Sequence, residues 1–133
     1  MISNVGSMLL VLSFVITCYT LFIYVKKNIV QKSSIYLEFF LYYKASFLLL
    51  LFSFFILLIS FVMSDFSIIS VYENSHTDKP LFYKISGTWG NHEGSMLLLI
   101  LVISLYGILF LLNSKNISDS LRATTIFFQS IIQ

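Results

Sequence analysis

Three long stretches without any charged residue limit the possible folds of this chain more than any other feature. They run from Val5 to Val25, from Ala45 to Ser64 and from Ser95 to Leu112. A helix that crosses a bilayer needs about 20 apolar residues, within a range of about 17 to 25. Lipid offers the backbone no hydrogen-bonding partners, so each stretch must be helical. The sequence therefore predicts an all-α integral membrane protein with three transmembrane helices and one long outer loop between the second and third.

The composition excludes several other classes of protein. Hydrophobic residues make up 58% of the 133 residues and charged residues 11%, whereas about a quarter of the residues of a soluble domain are charged. The eight basic residues are scattered, which argues against nucleic-acid binding. A single cysteine, Cys18, leaves no internal disulfide and no metal-ligand spacing, so we expect it to face lipid or pack. No nucleophile–base pair or pair of catalytic carboxylates is visible, and we predict no catalytic or metal-binding residue.

The charges between these stretches predict an orientation. Four lysines and one glutamate lie between the first and second stretches, whereas residues 65–94 contain four acidic residues and two lysines. Basic segments of membrane proteins stay on the inner side. We therefore expect the N-terminus and the loop at 65–94 to face outward, and the tail, residues 113–133, to lie on the inner side.

Two weaker patterns leave alternatives open. In the tail, Ile117, Leu121, Thr124 and Phe128 can share one helical face, which fits either an interfacial helix or the start of a further span. A second series in the middle span repeats a small residue every seven positions. This series can form a packing seam against another helix, or it reflects only the frequency of serine in this chain. Its members are Ser46, Ser53 and Ser60.

The long loop ends in the most specific stretch of the chain, Trp-Gly-Asn-His-Glu-Gly-Ser at positions 89–95. If the third helix begins near Trp89, then Trp89, His92, Glu93 and Met96 share one face at the membrane surface. Two glycines four positions apart would let another helix or a loop approach the backbone. One hypothesis is a docking surface, and the other is that His92 and Glu93 pair with each other or with neighbouring helices and lock the loop in place.

Four pieces of the loop occur in an order that identifies a family. They are Asp65-Phe66-Ser67, then Val71 to Ser75, then Pro80 to Lys84, and finally the stretch 89–95. This order resembles the N-terminal part of the CcmF family of cytochrome c haem lyases, and the resemblance covers about residues 1 to 112. Two departures are Asn91, at a position that is usually small, and Pro80, which precedes Leu81 rather than following a leucine. We expect Asp65, Asn74 and Pro80 to order the loop.

The resemblance implies a function that this chain performs only with partners. Members of the family are several times longer, and their haem-ligating histidines lie further along the polypeptide. The chain therefore resembles the first piece of a split, mitochondrial form, a non-autonomous part of a haem lyase with no complete active site. Haem would be present in the assembled complex, with its ligands on other polypeptides. The implied partners are other CcmF fragments, haem-delivery components, apocytochrome c and membrane lipid, with no nucleic acid.

The resemblance also implies a site and a location. Eight loop residues are candidates for docking haem or apocytochrome c: Tyr83, Lys84, Trp89, Gly90, His92, Glu93, Gly94 and Ser95. Two alanines against 14 phenylalanines suggest an A+T-rich genome, which favours the mitochondrial inner membrane, with the loop in the intermembrane space, over a bacterial inner membrane. The alternative function is a structural accessory subunit of a mitochondrial respiratory complex.

Overall fold

The computed structural model describes residues 2–30, 36–114 and 117–133, and the regular secondary structure of these residues is helical. Six helices follow one another along this part of the chain. They are α1 (Ile2–Val30), α2 (Tyr36–Met63), α3 (Ile69–Asn74), α4 (Leu81–Gly90), α5 (His92–Asn113) and α6 (Asp119–Ile132). We call residues 64–91, which connect α2 to α5 and contain α3 and α4, the long loop.

Three of these helices contain segments that are long and apolar enough to cross a membrane. The segments are Asn4–Lys26 in α1, Glu38–Met63 in α2 and His92–Asn113 in α5. Their apolar surfaces remain largely exposed within this chain, as expected for helices whose outer faces contact lipid or other polypeptides. The predicted all-α membrane fold with three spans is confirmed.

The second span begins earlier than the charge-free stretch predicted. α2 starts at Tyr36, so Glu38 and Lys44, which we assigned to a basic loop, lie within the helix; Lys32 of that loop lies outside the described residues. A helix of 28 residues is about 42 Å long, whereas the hydrocarbon layer is about 30 Å thick. The first turns of α2 therefore project into the interface, where the exposed Lys44 side chain can reach water.

α1 and α2 pack antiparallel along small and hydroxyl-bearing side chains. The Ser53 hydroxyl donates to the Gly6 carbonyl (3.0 Å), and the hydroxyl groups of Thr17 and Ser46 lie 3.2 Å apart. Ser60 instead donates to a carbonyl of its own helix (2.9 Å). Ser46, Ser53 and Ser60 are all buried. Small side chains let helix backbones approach closely, which is a main source of association in lipid.

α6 packs against α1, α2 and α5 at the end of the bundle opposite the long loop. The rings of Tyr24 and Phe127 stack with centroids 4.3 Å apart. The Tyr43 hydroxyl donates to Gln129 Oε1 (2.5 Å). These contacts join residues of α1 and α2 to residues about 90 to 100 positions away, so they fix α6 by tertiary packing rather than by local structure.

The face of α6 that packs against the bundle differs from the apolar series noted in the sequence. Leu121 and Phe128 are exposed, whereas Ala123, Ile126 and Ser130 are buried. The inward face combines two small residues, Ala123 and Ser130, with Ile126, which belongs to the hydrophobic core. The outward face carries Leu121 and Phe128, as expected for a helix in or beside lipid.

Candidate functional site

α4 lies beside the last turn of α2 and the first turn of α5. A Cβ on Gly87 would lie 3.3 Å from the ring of Phe61, which is two residues before the end of α2. The next residue, Thr88, is fully buried, and its carbonyl oxygen lies against Gly94 in the first turn of α5. The long loop therefore turns back onto the helices that it connects, and this places the 89–95 stretch at the end of the bundle.

Asn91 joins α4 to α5 and is the residue that sequence reasoning missed. Its backbone is extended (φ −105°, ψ 165°), so the helical path breaks there. The Asn91 Oδ1 atom accepts from the Gly94 amide (2.6 Å), which satisfies a free N–H at the start of α5. Its Nδ2 atom donates to the Gly87 carbonyl in the last turn of α4 (2.9 Å). An asparagine directly before an apolar helix is a common cap, and that signal could have identified it.

The two glycines of the stretch have different environments. A Cβ on Gly94 would overlap the Thr88 carbonyl oxygen and lie 2.8 Å from the Thr88 carbonyl carbon, so only glycine fits there. A Cβ on Gly90 would meet no atom within 4 Å. The predicted close approach of a loop to the backbone therefore occurs at Gly94, and the segment that approaches is the end of α4. Gly90 ends α4 and is not part of α5.

The third span begins at His92 rather than near Trp89. Trp89 belongs to α4, so it does not share a helical face with His92, Glu93 and Met96, as a helix starting at Trp89 would have required. The break at Asn91 causes this difference, because it changes the direction of the chain between Trp89 and His92. Trp89 is nevertheless only three residues from His92, at the same end of the bundle.

His92 and Glu93 do not hold the junction together. Both side chains are exposed, and within the described residues neither makes a hydrogen bond or an ion pair. Ser95 is also exposed, and its hydroxyl donates to the His92 carbonyl (2.9 Å). Glu93 lies in the first turn of α5, where the helix dipole favours a negative charge. The pairing of His92 with Glu93 that we considered as a lock is absent, and the locking contacts come from Asn91 and Gly94.

The residues expected to order the loop take part in local hydrogen bonds. Asp65 Oδ1 accepts from the Ser67 hydroxyl (2.6 Å) and amide (3.1 Å), and these bonds hold the pKa of Asp65 below its ordinary value. The Asn74 side chain donates to the Ser70 carbonyl (2.9 Å), and the Lys79 ammonium donates to the Asn74 carbonyl (2.8 Å). These contacts fold the segment around α3 through partners only two to five residues apart.

The remaining candidate positions lie on α4 and at its start. Pro80 precedes the helix, and its carbonyl accepts from the Tyr83 and Lys84 amides (2.9 and 3.2 Å). The Tyr83 side chain is exposed, and Lys84 is half-buried. Within residues 2–30, 36–114 and 117–133, no group of three or more His, Cys, Asp and Glu side chains is placed to hold a metal ion. The thiol of Cys18 is free and exposed on α1.

The sequence is similar to several bacterial proteins that are named for cytochrome c-type biogenesis. It is 54% identical over 71 residues to the cytochrome c-type biogenesis protein CycK of Bradyrhizobium diazoefficiens, a match that covers 53% of this chain and 11% of the relative. The chain is a homologue of cytochrome c-type biogenesis proteins. CycK of Rhizobium meliloti is 48% identical over 86 residues (65% of this chain, 13% of the relative). CcmF of Haemophilus influenzae is 35% identical over 72 residues (54% and 11%).

These matches confirm the predicted resemblance to the CcmF family. They also limit how much of a relative's function can be assigned to this chain. The matched segment is only 11% to 13% of the length of these relatives, so most of each relative has no counterpart in this match. No protein-family model matches the chain, and no solved structure matches it. The function of a whole relative therefore extends to this chain only as a proposal.

Proposed function

We propose that this chain acts in cytochrome c maturation as one membrane polypeptide of a CcmF-like haem lyase, which attaches haem covalently to apocytochrome c. The identity to proteins named for cytochrome c-type biogenesis supports this proposal. The matched segment is about a tenth of each relative, and we propose that this chain acts together with other polypeptides. These would be further CcmF-like fragments and haem-delivery components.

One structural observation indicates which residues of the junction would contact a partner. Asn91 and Gly94 make the contacts that fix the junction, whereas His92, Glu93 and Ser95 are exposed beside it. Polar side chains that the fold does not use for its own stability are available for a partner. We therefore assign the docking role to His92, Glu93 and Ser95, and a scaffolding role to Asn91 and Gly94.

The chemistry of these residues fits a surface contact with haem rather than enclosure of it. Haem presents an apolar ring with two propionates, and the imidazole N–H of His92 can donate a hydrogen bond to a propionate. The side chains at the junction are exposed, so they can contact haem from one side only. The ligands to the haem iron would belong to other polypeptides, as the resemblance to longer family members implies, and this chain would guide haem or apocytochrome c toward them.

The proposed location is an energy-transducing membrane with the junction on its outer side. The basic segments around the first connection and in the tail favour the inner side, and the acidic long loop favours the outer side. The amino-acid bias of the chain favours the mitochondrial inner membrane, whereas the similar proteins named above come from bacteria. A membrane-impermeant label that reacts with a cysteine at position 92 from the inner side would contradict this orientation.

The decisive experiment replaces His92 by alanine in the native assembly. We expect covalent haem in c-type cytochromes to fall by about tenfold or more, because a docking contact of about 1.4 kcal/mol changes an equilibrium tenfold. Haem staining of denaturing gels measures this loss, and immunoblotting of the chain checks its abundance. His76→Ala is the matched control, since it removes the other histidine of the chain, which is also exposed and lies in the long loop.

The outcomes separate the proposal from its competitors. Normal maturation in His92→Ala, with the assembly intact, would contradict a docking role for this residue. Migration of the chain with an oxidase or dehydrogenase on native gels, without any maturation defect on its loss, would instead support an accessory subunit of a respiratory complex. An equal defect in His76→Ala would show that the loss of either histidine disturbs the assembly, and it would also contradict the docking role assigned to His92.

A further inference from the structure

The side of α4 that faces away from the bundle is apolar and uncharged. Phe82 is 84% exposed, Tyr83 68% and Trp89 41%. Phe82 and Trp89 are two helical turns apart and therefore share this side, and Ser86 lies between them. The one charged residue of α4, Lys84, is half-buried. We call Phe82, Tyr83 and Trp89 the aromatic face of α4.

A helix that presents such a face to water would be unusual. The water-facing side of a surface helix usually carries charged and polar side chains. Exposed apolar patches of this kind mark contact with a protein partner or with a membrane. The position of α4 relative to the membrane spans distinguishes between these two surroundings.

The lengths of the helices place α4 at the edge of the hydrocarbon layer. Lys44 fixes one boundary within α2, because a charged side chain avoids the bilayer centre. A hydrocarbon layer of about 30 Å accommodates about 20 helical residues, so the layer that begins after Lys44 ends near the end of α2 at Met63. Gly87 of α4 lies against Phe61, within this last turn of α2.

The length of α5 independently places α4 at the same depth in the membrane. α5 has 22 residues and is therefore about 33 Å long, so its first turn lies at the boundary of the same layer. Thr88 of α4 lies against Gly94 in that turn. α4 thus packs beside the terminal turns of both spans, at the depth where tryptophan and tyrosine side chains are enriched in membrane proteins.

From this placement we infer that α4 is an interfacial helix whose aromatic face rests among the lipid headgroups and upper acyl chains of the leaflet on the long-loop side. Phe82 and Trp89 bury their rings in the lipid, and the hydroxyl group of Tyr83 reaches the headgroups. Met63, at the end of α2, is also exposed, as expected of a side chain at the same level of the lipid. This inference concerns the membrane and does not depend on the proposed role in haem attachment.

The single tryptophan of the chain gives a direct test. Trp89 is the only tryptophan, so the intrinsic fluorescence of the purified chain in phosphatidylcholine nanodiscs reports its surroundings alone. Bromine placed near the lipid headgroup should remove roughly half of the emission, because interfacial tryptophans lie at that depth. Bromine near the chain end should remove much less. Strong quenching by aqueous iodide, with no effect of brominated lipid, would overturn the inference.

Cysteine labelling tests the same point at a second position. In a Cys18→Ser background, Phe82→Cys should react with a membrane-impermeant maleimide several-fold more slowly than Thr77→Cys in membranes. Thr77 serves as the matched control, because it is exposed and lies in the loop four positions before the first residue of α4. Equal rates for the two positions would overturn the inference. Protection of Phe82→Cys in the native assembly, but not in nanodiscs, would show that a protein partner covers the face instead.

Discussion

The two ends of the helix bundle are held together in different ways. At the long-loop end, polar side chains bond to backbone groups only two to five residues away, as Asp65, Asn74 and Asn91 do. At the other end, the hydrogen bonds of Tyr24 and Tyr43 with Thr124 and Gln129 join residues about 90 to 100 positions apart. The first end is thus held mainly by local hydrogen bonds, and the polar side chains of His92 and Glu93 remain exposed there. At the second end, polar side chains form hydrogen bonds between helices that are distant in the sequence.

Two glycines, one at each end, allow this difference to be tested most strongly. At Gly94 a methyl group would overlap the backbone of Thr88, whereas at Gly107 it would overlap the ends of the Gln129 and Tyr43 side chains. A backbone atom can move only if the whole of α4 moves, but a side chain can rotate away. The same substitution should therefore be more damaging at the long-loop end.

The largest effect is expected for Gly94→Ala. The added methyl group displaces the end of α4 from α5, and overpacking of this kind costs about 3 kcal/mol. Thermal unfolding in detergent, followed by the fluorescence of Trp89, measures the loss. Gly90→Ala is the control, because its methyl group meets no atom within 4 Å. Equal stability of the two variants would show that α4 does not need its position against Gly94.

Gly107→Ala should have a smaller effect. Its methyl group forces Gln129 and Tyr43 apart, and we expect the loss of their hydrogen bond with some repacking to cost about 2 kcal/mol. Gln129→Ala removes the nearest obstacle and leaves only the Tyr43 hydroxyl, so Gly107→Ala should cost less in the Gln129→Ala background than in the wild type. An equal loss in the two backgrounds, measured by the same unfolding assay, would contradict the idea that the Gln129 side chain is the main obstacle.

Asn91→Ala tests the local clamp between α4 and α5. The substitution removes the bond to the Gly94 amide and the bond to the Gly87 carbonyl, and we expect a loss of about 1 kcal/mol in unfolding free energy. Asn91→Asp keeps the acceptor for Gly94 but loses the donor to Gly87, so its stability should lie between those of the wild type and Asn91→Ala. Proteolysis between α4 and α5 offers a second measurement. An Asn91→Asp protein that is less stable than Asn91→Ala would contradict this assignment of roles.

The smallest effect concerns pH and Asp65. Its pKa is lowered in the folded chain, so ionised Asp65 stabilises the fold above the ordinary pKa of an aspartate, about 3.9, and this contribution is lost as the pH falls. Asp65→Asn should therefore reduce the difference in melting temperature between neutral and acidic solution. Asp78→Asn controls for the loss of a loop carboxylate. An unchanged pH dependence in Asp65→Asn would show that its bonds with Ser67 do not contribute to stability.

The sequence predicted the features that depend on composition and missed those that depend on tertiary contacts. Charge-free runs located all three spans, because lipid forces an apolar segment of that length into a helix. The start of α2 was missed, because Glu38 and Lys44 can project from a long helix into the interface. The packed face of α6 was not predicted, because it depends on contacts with α1, α2 and α5 that the sequence does not show.

The candidate site shows the same division. The residue types of positions 89–95 identified the junction and the relatives, but they did not show that the helical path breaks at Asn91. A helix that continued through Asn91 would also be compatible with the sequence spacing, and the extended backbone of Asn91 and the contact between Thr88 and Gly94 decide against it. The exposure of His92 and Glu93 depends on that break.

Asn91 touches both helices at once, and this has a mechanical consequence. Its amide group holds the last turn of α4 and the first turn of α5 with one bond to each. A force that tilts α4 must either break these bonds or rotate α5 with it. A partner that displaces α4 would therefore also tilt the first turn of α5, and the displacement would reach the third span.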